Sequence, residues 1–65
     1  MDGMGEKIRQ IREGKRMSQE ELANASGVSR QTISAIESGK AQSVTTGTLE
    51  AIAKALEVSI QNFFD

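Results

Sequence analysis

The side chains able to do covalent chemistry are few in this sequence. Histidine and cysteine are both absent, which removes the commonest general base, the commonest metal ligand and the thiolate nucleophile. The serines therefore have no imidazole to activate them. Glu20 and Glu21 are adjacent, and neighbouring positions on a helix do not face each other as a working acid–base pair would. No catalytic residue, metal site or other cofactor is expected. What remains is recognition chemistry. Arg30 and Gln31 stand side by side, followed by the small residues Ser34 and Ala35 and then Ser38. Arg reaches O6 and N7 of guanine together, and Gln reaches N6 and N7 of adenine, so these types suit base edges. At an arbitrary helix start the same two residues would be ordinary surface, so the surrounding elements decide.

Those elements are helical. The 65 residues contain no proline, and apolar residues recur three and four apart, as in Ile8/Ile11 and Leu49/Ile52/Ala53/Leu56. One local pattern appears four times: an apolar residue precedes Ser or Thr, and a second apolar residue follows that hydroxyl by four. The instances are Met17-Ser18 with Leu22, Val28-Ser29 with Ile33, Val44-Thr45 with Leu49, and Val58-Ser59 with Phe63. Each has the spacing of a hydrophobic staple around an N-cap, where the hydroxyl accepts from an unpaired amide of the first turn. Glu21 lies three residues after Ser18 and completes a capping box. With an opening helix, the pattern predicts five helices over about 5–14, 19–26, 30–38, 46–57 and 60–64. Gly14, Gly27 and Gly39 stand where chains leave helices. Residues 1–5 have nothing to pack and read as a flexible N-terminus, leaving 6–65 as one domain.

The connection between the second and third helices, Ser26-Gly27-Val28-Ser29, is too short for a long antiparallel return, so these helices should cross steeply. Ala23 permits the close crossing and Gly27 permits a positive φ in the turn. The expected core is Ile8, Ile11, Leu22, Ala23, Val28, Ile33, Ile36, Leu49, Ile52, Ala53, Leu56, Ile60 and Phe63. With Ile33 and Ile36 inward, the opposite face of the third helix carries Arg30, Gln31, Ser34, Ala35 and Ser38. That face is polar, nearly free of acid, and has its long side chains at the end that enters a groove deepest.

At this point the stretch SQEELANASGVSRQTISAIESGK, Ser18 to Lys40, resembles the helix-turn-helix of the phage repressor and Cro family, also called the XRE family. The likeness continues through TLEAIAKALEVSIQNFF and covers nearly the whole chain, with Leu22, Ala23, Gly27, Val28, Ile33 and Ile36 at the family's structural positions. The resemblance implies an all-α, five-helix, lambda-repressor-like DNA-binding domain. It implies base contacts from Arg30, Gln31, Ser34 and Ala35. It implies phosphate contacts from Gln19, Ser29, Lys40, Gln42 and Ser43. Arg12 and Glu37 match a pair that in some members forms a buried ion pair between the first and third helices. Two departures stand out. Arg16 occupies a position that is often Gly in the family, with Gly14 two residues earlier, which leaves the end of the first helix open. The loop from Lys40 to Thr46 has no proline and a single basic residue, which implies few phosphate contacts and a shallow salt dependence.

Net charge is −1, yet Lys7, Arg9, Arg12, Lys15 and Arg16 lie within ten residues against Glu13 alone. On charge alone such a run reads first as an ordinary solvated face, although a local basic patch can attract phosphates even on a weakly acidic molecule. No apolar run approaches the roughly 18 residues of a membrane span, and the start lacks a signal-peptide hydrophobic region, so a cytoplasmic protein is expected. A domain this small buries only about 60% of its unfolded surface, a shortage that a dimer relieves. Ile60, Phe63 and Phe64 are the candidate dimer contacts. The expected function is sequence-specific binding of double-stranded DNA at a pseudo-palindromic site by a homodimeric transcriptional regulator, a repressor, with no small-molecule ligand. The alternative is a protein-interaction module, such as an antitoxin that binds a partner protein as well as its promoter.

Overall fold

Three of the expected hydroxyl caps open helices. In the computed structural model, which describes residues 3–41 and 43–64, Ser18 Oγ accepts from the Glu21 amide at 3.0 Å. The Glu21 carboxylate in turn accepts from the Ser18 amide at 2.8 Å. Ser29 Oγ accepts from the Thr32 amide and Thr45 Oγ1 from the Thr48 amide, each at 3.1 Å. These caps start α2 (Gln19–Ser26), α3 (Arg30–Ser38) and α4 (Thr46–Leu56). α1 (Met4–Gly14) starts after Gly3 with no side-chain cap.

The fourth hydroxyl behaves differently. Ser59 precedes a single 3-10 turn, Ile60–Phe63, and makes no cap to its amides. The bonds there run three residues back, Asn62 to Ser59 and Phe64 to Gln61. The Asn62 side-chain amide donates to both Ser59 oxygens, at 3.0 Å for the carbonyl and 3.3 Å for Oγ. The expected fifth helix is thus a tight turn, and the described residues of this all-α fold form four α-helices. No strand occurs among the described residues.

All four helices end on a left-handed residue, but only two of those residues are glycine. Gly27 and Gly39 have φ of 75° and 81°, as a helix exit favours. After α1 the left-handed position falls on Arg16, φ 58°, and Gly14 is the last helical residue. The amides of Arg16 and Met17 donate to the Glu13 and Arg12 carbonyls, the paired bonds of a Schellman exit. After α4 the same motif falls on Glu57, φ 61°, whose amide and that of Val58 donate to Lys54 and Ala53. Glu57→Gly is therefore expected to raise the thermal midpoint. It removes about 1–2 kcal/mol of left-handed strain, against about 0.5–1 kcal/mol of added unfolded-state freedom. A fall in the midpoint in a circular-dichroism melt would contradict this.

The core joins Ile8, Leu22, Ala23, Ile33, Ile36, Leu49, Ile52, Ala53, Leu56 and Phe63, with Ile11, Val28 and Ile60 half-buried at its edge. α1 and α2 both pack on α3, α4 packs on α2, and the 3-10 turn closes against α1 and α4. Of the segment 1–5 expected to be unpacked, residues 1 and 2 lie outside the described residues, and residues 4 and 5 are in contact with the fold. Met4 is half-buried against the core, and a Cβ at Gly5 would stand 1.9 Å from the Ile36 carbonyl oxygen. Residue 5 is a glycine because α1 meets the backbone of α3 there. No helix among the described residues is long and apolar enough to cross a membrane.

Candidate nucleic-acid interface

The recognition face is built from the underside of α3. Ile33, Ile36 and Glu37 are buried, which fixes the helix about its axis and leaves Arg30, Gln31, Ser34 and Ser38 exposed. Ala35 is half-buried, less open than a base contact requires of a longer side chain. Its carbonyl anchors the loop that follows, accepting from the amides of Lys40 and Ala41 at 2.9 and 3.1 Å. Among the described residues no carboxylate lies within 4 Å of the Arg30 guanidinium. Arg30 lines an open groove between α2 and α3 with Glu20, Asn24 and Ser29.

Beneath this face lies the pair that the resemblance implied. Arg12 Nε donates to Glu37 Oε2 at 2.7 Å and its Nη2 donates to Oε1 at 3.0 Å. The Glu37 side chain is 3% exposed. Arg12 Nη1 donates to the Met17 carbonyl at 2.6 Å, so one guanidinium ties α1 to α3 and also holds the turn before α2. The hydrogen bond to Glu37 raises the Arg12 pKa above its ordinary value, burial lowers it, and the charges of Glu37 and Glu13 raise it further. A base with a raised folded pKa contributes fully below its unfolded value and loses that contribution only as pH rises through the folded one. That window lies in strong alkali, so Arg12 adds no pH dependence under working conditions.

The phosphate candidates are placed unequally. Lys40 and Ser43 are exposed in the loop between α3 and α4, and Gln42 lies outside the described residues. The Gln19 side chain is half-buried and turns inward, Nε2 donating to Glu37 Oε1 at 3.1 Å. One Nε2 hydrogen and the unpaired first-turn amide of Gln19 remain for an anion. The Ser29 hydroxyl is occupied twice, accepting from the Thr32 amide and donating to Thr32 Oγ1 at 2.8 Å. The hydroxyl hydrogen that is free at the start of α3 therefore belongs to Thr32, an exposed residue that sequence reasoning passed over. The signal that could have found it is the Ser29-x-x-Thr32 spacing, which sets a second hydroxyl one turn after the N-cap.

The dimer candidates divide. Phe63 is 1% exposed and belongs to the core of the single chain, so it offers almost no surface to a partner. Adjacent side chains of a 3-10 turn point in different directions, and Phe64 is 63% exposed. Ile60 is half-buried beside it.

Two short helices joined at a left-handed Gly27, the second braced by an ion pair and open along one polar face, form a helix-turn-helix. The chain belongs to the phage repressor and Cro-like (XRE) helix-turn-helix family, whose Helix-turn-helix model matches residues 8–63. It is 38% identical over 58 residues to the HTH-type transcriptional repressor RghR of Bacillus subtilis (strain 168), covering 89% of this chain and 43% of that protein. The chain thus spans less than half the length of the curated relatives it matches. Among solved structures, it is similar to SinR, the master regulator for biofilm formation, in complex with DNA. The TM-score is 0.90 and the identity 32%, over 95% of this chain and 98% of that one. It is also similar to the restriction-modification controller protein C.AhdI from Aeromonas hydrophila, with a TM-score of 0.89 and 31% identity over 94% and 91% of the two chains.

Proposed function

We propose that this chain binds a specific duplex DNA site as a transcriptional repressor, with α3 in the major groove. The observation that carries this reading is the exposed face of α3. Its two long readers stand in the first turn, small residues follow, and the helix is locked from below by Ile33, Ile36 and Glu37. Arg30 reads a guanine and Gln31 an adenine in each half-site, Ser34 and Ala35 allow the close approach, and Thr32, Lys40 and Ser43 follow the backbone. The relationship to a repressor and to a DNA-bound regulator supports the same reading. A homodimer on a pseudo-palindromic site places two copies of α3 in successive major grooves, about 34 Å apart. Phe64 and the exposed part of Ile60 are the side chains offered for that contact.

Selection from a random duplex library at near-physiological salt, with Arg30→Glu in parallel, tests this. The wild type is expected to recover a two-fold symmetric site and the variant none. Against the recovered site, Arg30→Ala should lose about 1–3 kcal/mol of discrimination at a single base pair per half-site. If neither protein enriches a sequence, α3 is a docking face and the reading fails.

A further inference from the structure

Arg16 is held in a backbone conformation that suits glycine, at φ 58°. A residue with a Cβ is disfavoured there, and a glycine stands two positions earlier, where the helical backbone does not need one. A backbone outlier of this kind prompts a hypothesis about what its side chain does. The Arg16 side chain has no structural use within the described residues. It is exposed, and no carboxylate lies within 4 Å of its guanidinium. Lys15 beside it is in the same condition. The other arginines of the run are engaged, Arg9 with Glu6 at 3.3 Å and Arg12 with Glu37.

The acids close by are also accounted for. Glu13 stands 3.8 Å from Arg12, Glu21 is bonded to the Ser18 amide, and Glu20 stays exposed on α2. The turn itself is tied back to α1. Met17 is fastened through its carbonyl to the Arg12 guanidinium and through its amide to the Arg12 carbonyl. The backbone at Arg16 is therefore placed two residues before Ser18, the cap from which α2 begins.

We propose that Arg16, with Lys15, contacts the phosphate backbone of duplex DNA beside Gln19. The α1–α2 turn then supplies the positive charge that the loop after α3, with Lys40 alone, lacks. This rests on the DNA-binding reading. A contact of this kind strengthens binding to every sequence alike and appears in the salt dependence.

The test measures affinity of the full chain for its selected duplex by fluorescence anisotropy across a salt series, with thermal melts of the same proteins. Arg16→Gly is expected to melt a few degrees higher and yet bind severalfold more weakly. Its slope of log K against log salt should be shallower by about 0.9, with the order of preferred sites unchanged. Arg16→Lys keeps the charge and should keep the slope. Wild-type affinity and slope in Arg16→Gly overturn this inference alone, as does an equal loss in Arg16→Lys. A wild type that binds no duplex overturns the DNA-binding reading and this inference with it.

Discussion

Glu37→Ala is expected to lower the thermal midpoint by on the order of 20 °C, enough to leave much of the protein unfolded at 37 °C. The reason is what the substitution leaves behind. Arg12 stays buried, with its Nε and Nη2 hydrogens facing the space where Oε2 and Oε1 stood. An uncompensated buried charge costs about 3–5 kcal/mol. A domain of this size has roughly 3–10 kcal/mol of stability in total. Gln19 loses its acceptor as well.

The pair itself need not be strongly stabilising, because desolvating two charges offsets most of their attraction. Replacing both, Arg12→Met with Glu37→Leu, should therefore recover most of the loss. The Met17 carbonyl and the Gln19 amide would lose their partners, but both bonds are only part-buried and water can reach them. The checks are melts of the single and double variants. A single variant within about 5 °C of wild type, or a double variant no better than the single, would contradict this account.

The second large effect is a difference of sign between two glycines of one helix. Ala is preferred over Gly in a helix by about 1 kcal/mol. At Gly14 nothing lies within 4 Å of an added Cβ, so Gly14→Ala should stabilise by up to about that amount. At Gly5 the same methyl would meet the Ile36 carbonyl oxygen at 1.9 Å, its carbon at 2.9 Å and the Glu37 Cα at 3.1 Å. These are backbone atoms of α3 that cannot rotate away. Gly5→Ala must push the first turn of α1 off α3 or unwind it, at about 1–3 kcal/mol for overpacking. Urea denaturation of the two variants should move their midpoints in opposite directions. If Gly5→Ala stabilises as Gly14→Ala does, α1 does not approach α3 as closely as described.

Much of the fold was legible in local chemistry. The hydroxyl caps at Ser18, Ser29 and Thr45 and the staples around them are satisfied within a few residues, so their spacing alone predicts where α2, α3 and α4 begin. Gly27 and Gly39 were readable for the same reason. Helix ends without glycine were not readable. Nothing in the types of Arg16 or Glu57 announces a left-handed exit, which is imposed when the packed helix and the next staple leave the chain only one way out.

For the site, residue types and the three-four period determined which face of α3 would be open and offered Arg30 and Gln31 as its readers. Family likeness supplied the Arg12–Glu37 pair, since no periodicity joins residues 25 positions apart in sequence. Only the tertiary structure decided that Gly5 touches α3, that Gln19 leans on Glu37, and that Phe63 is interior while Phe64 is not. The physical reason is range. Caps, staples and helical faces are set by neighbours within one turn of chain, whereas close approach, shared hydrogen bonds and burial depend on which segments the collapsed core brings together.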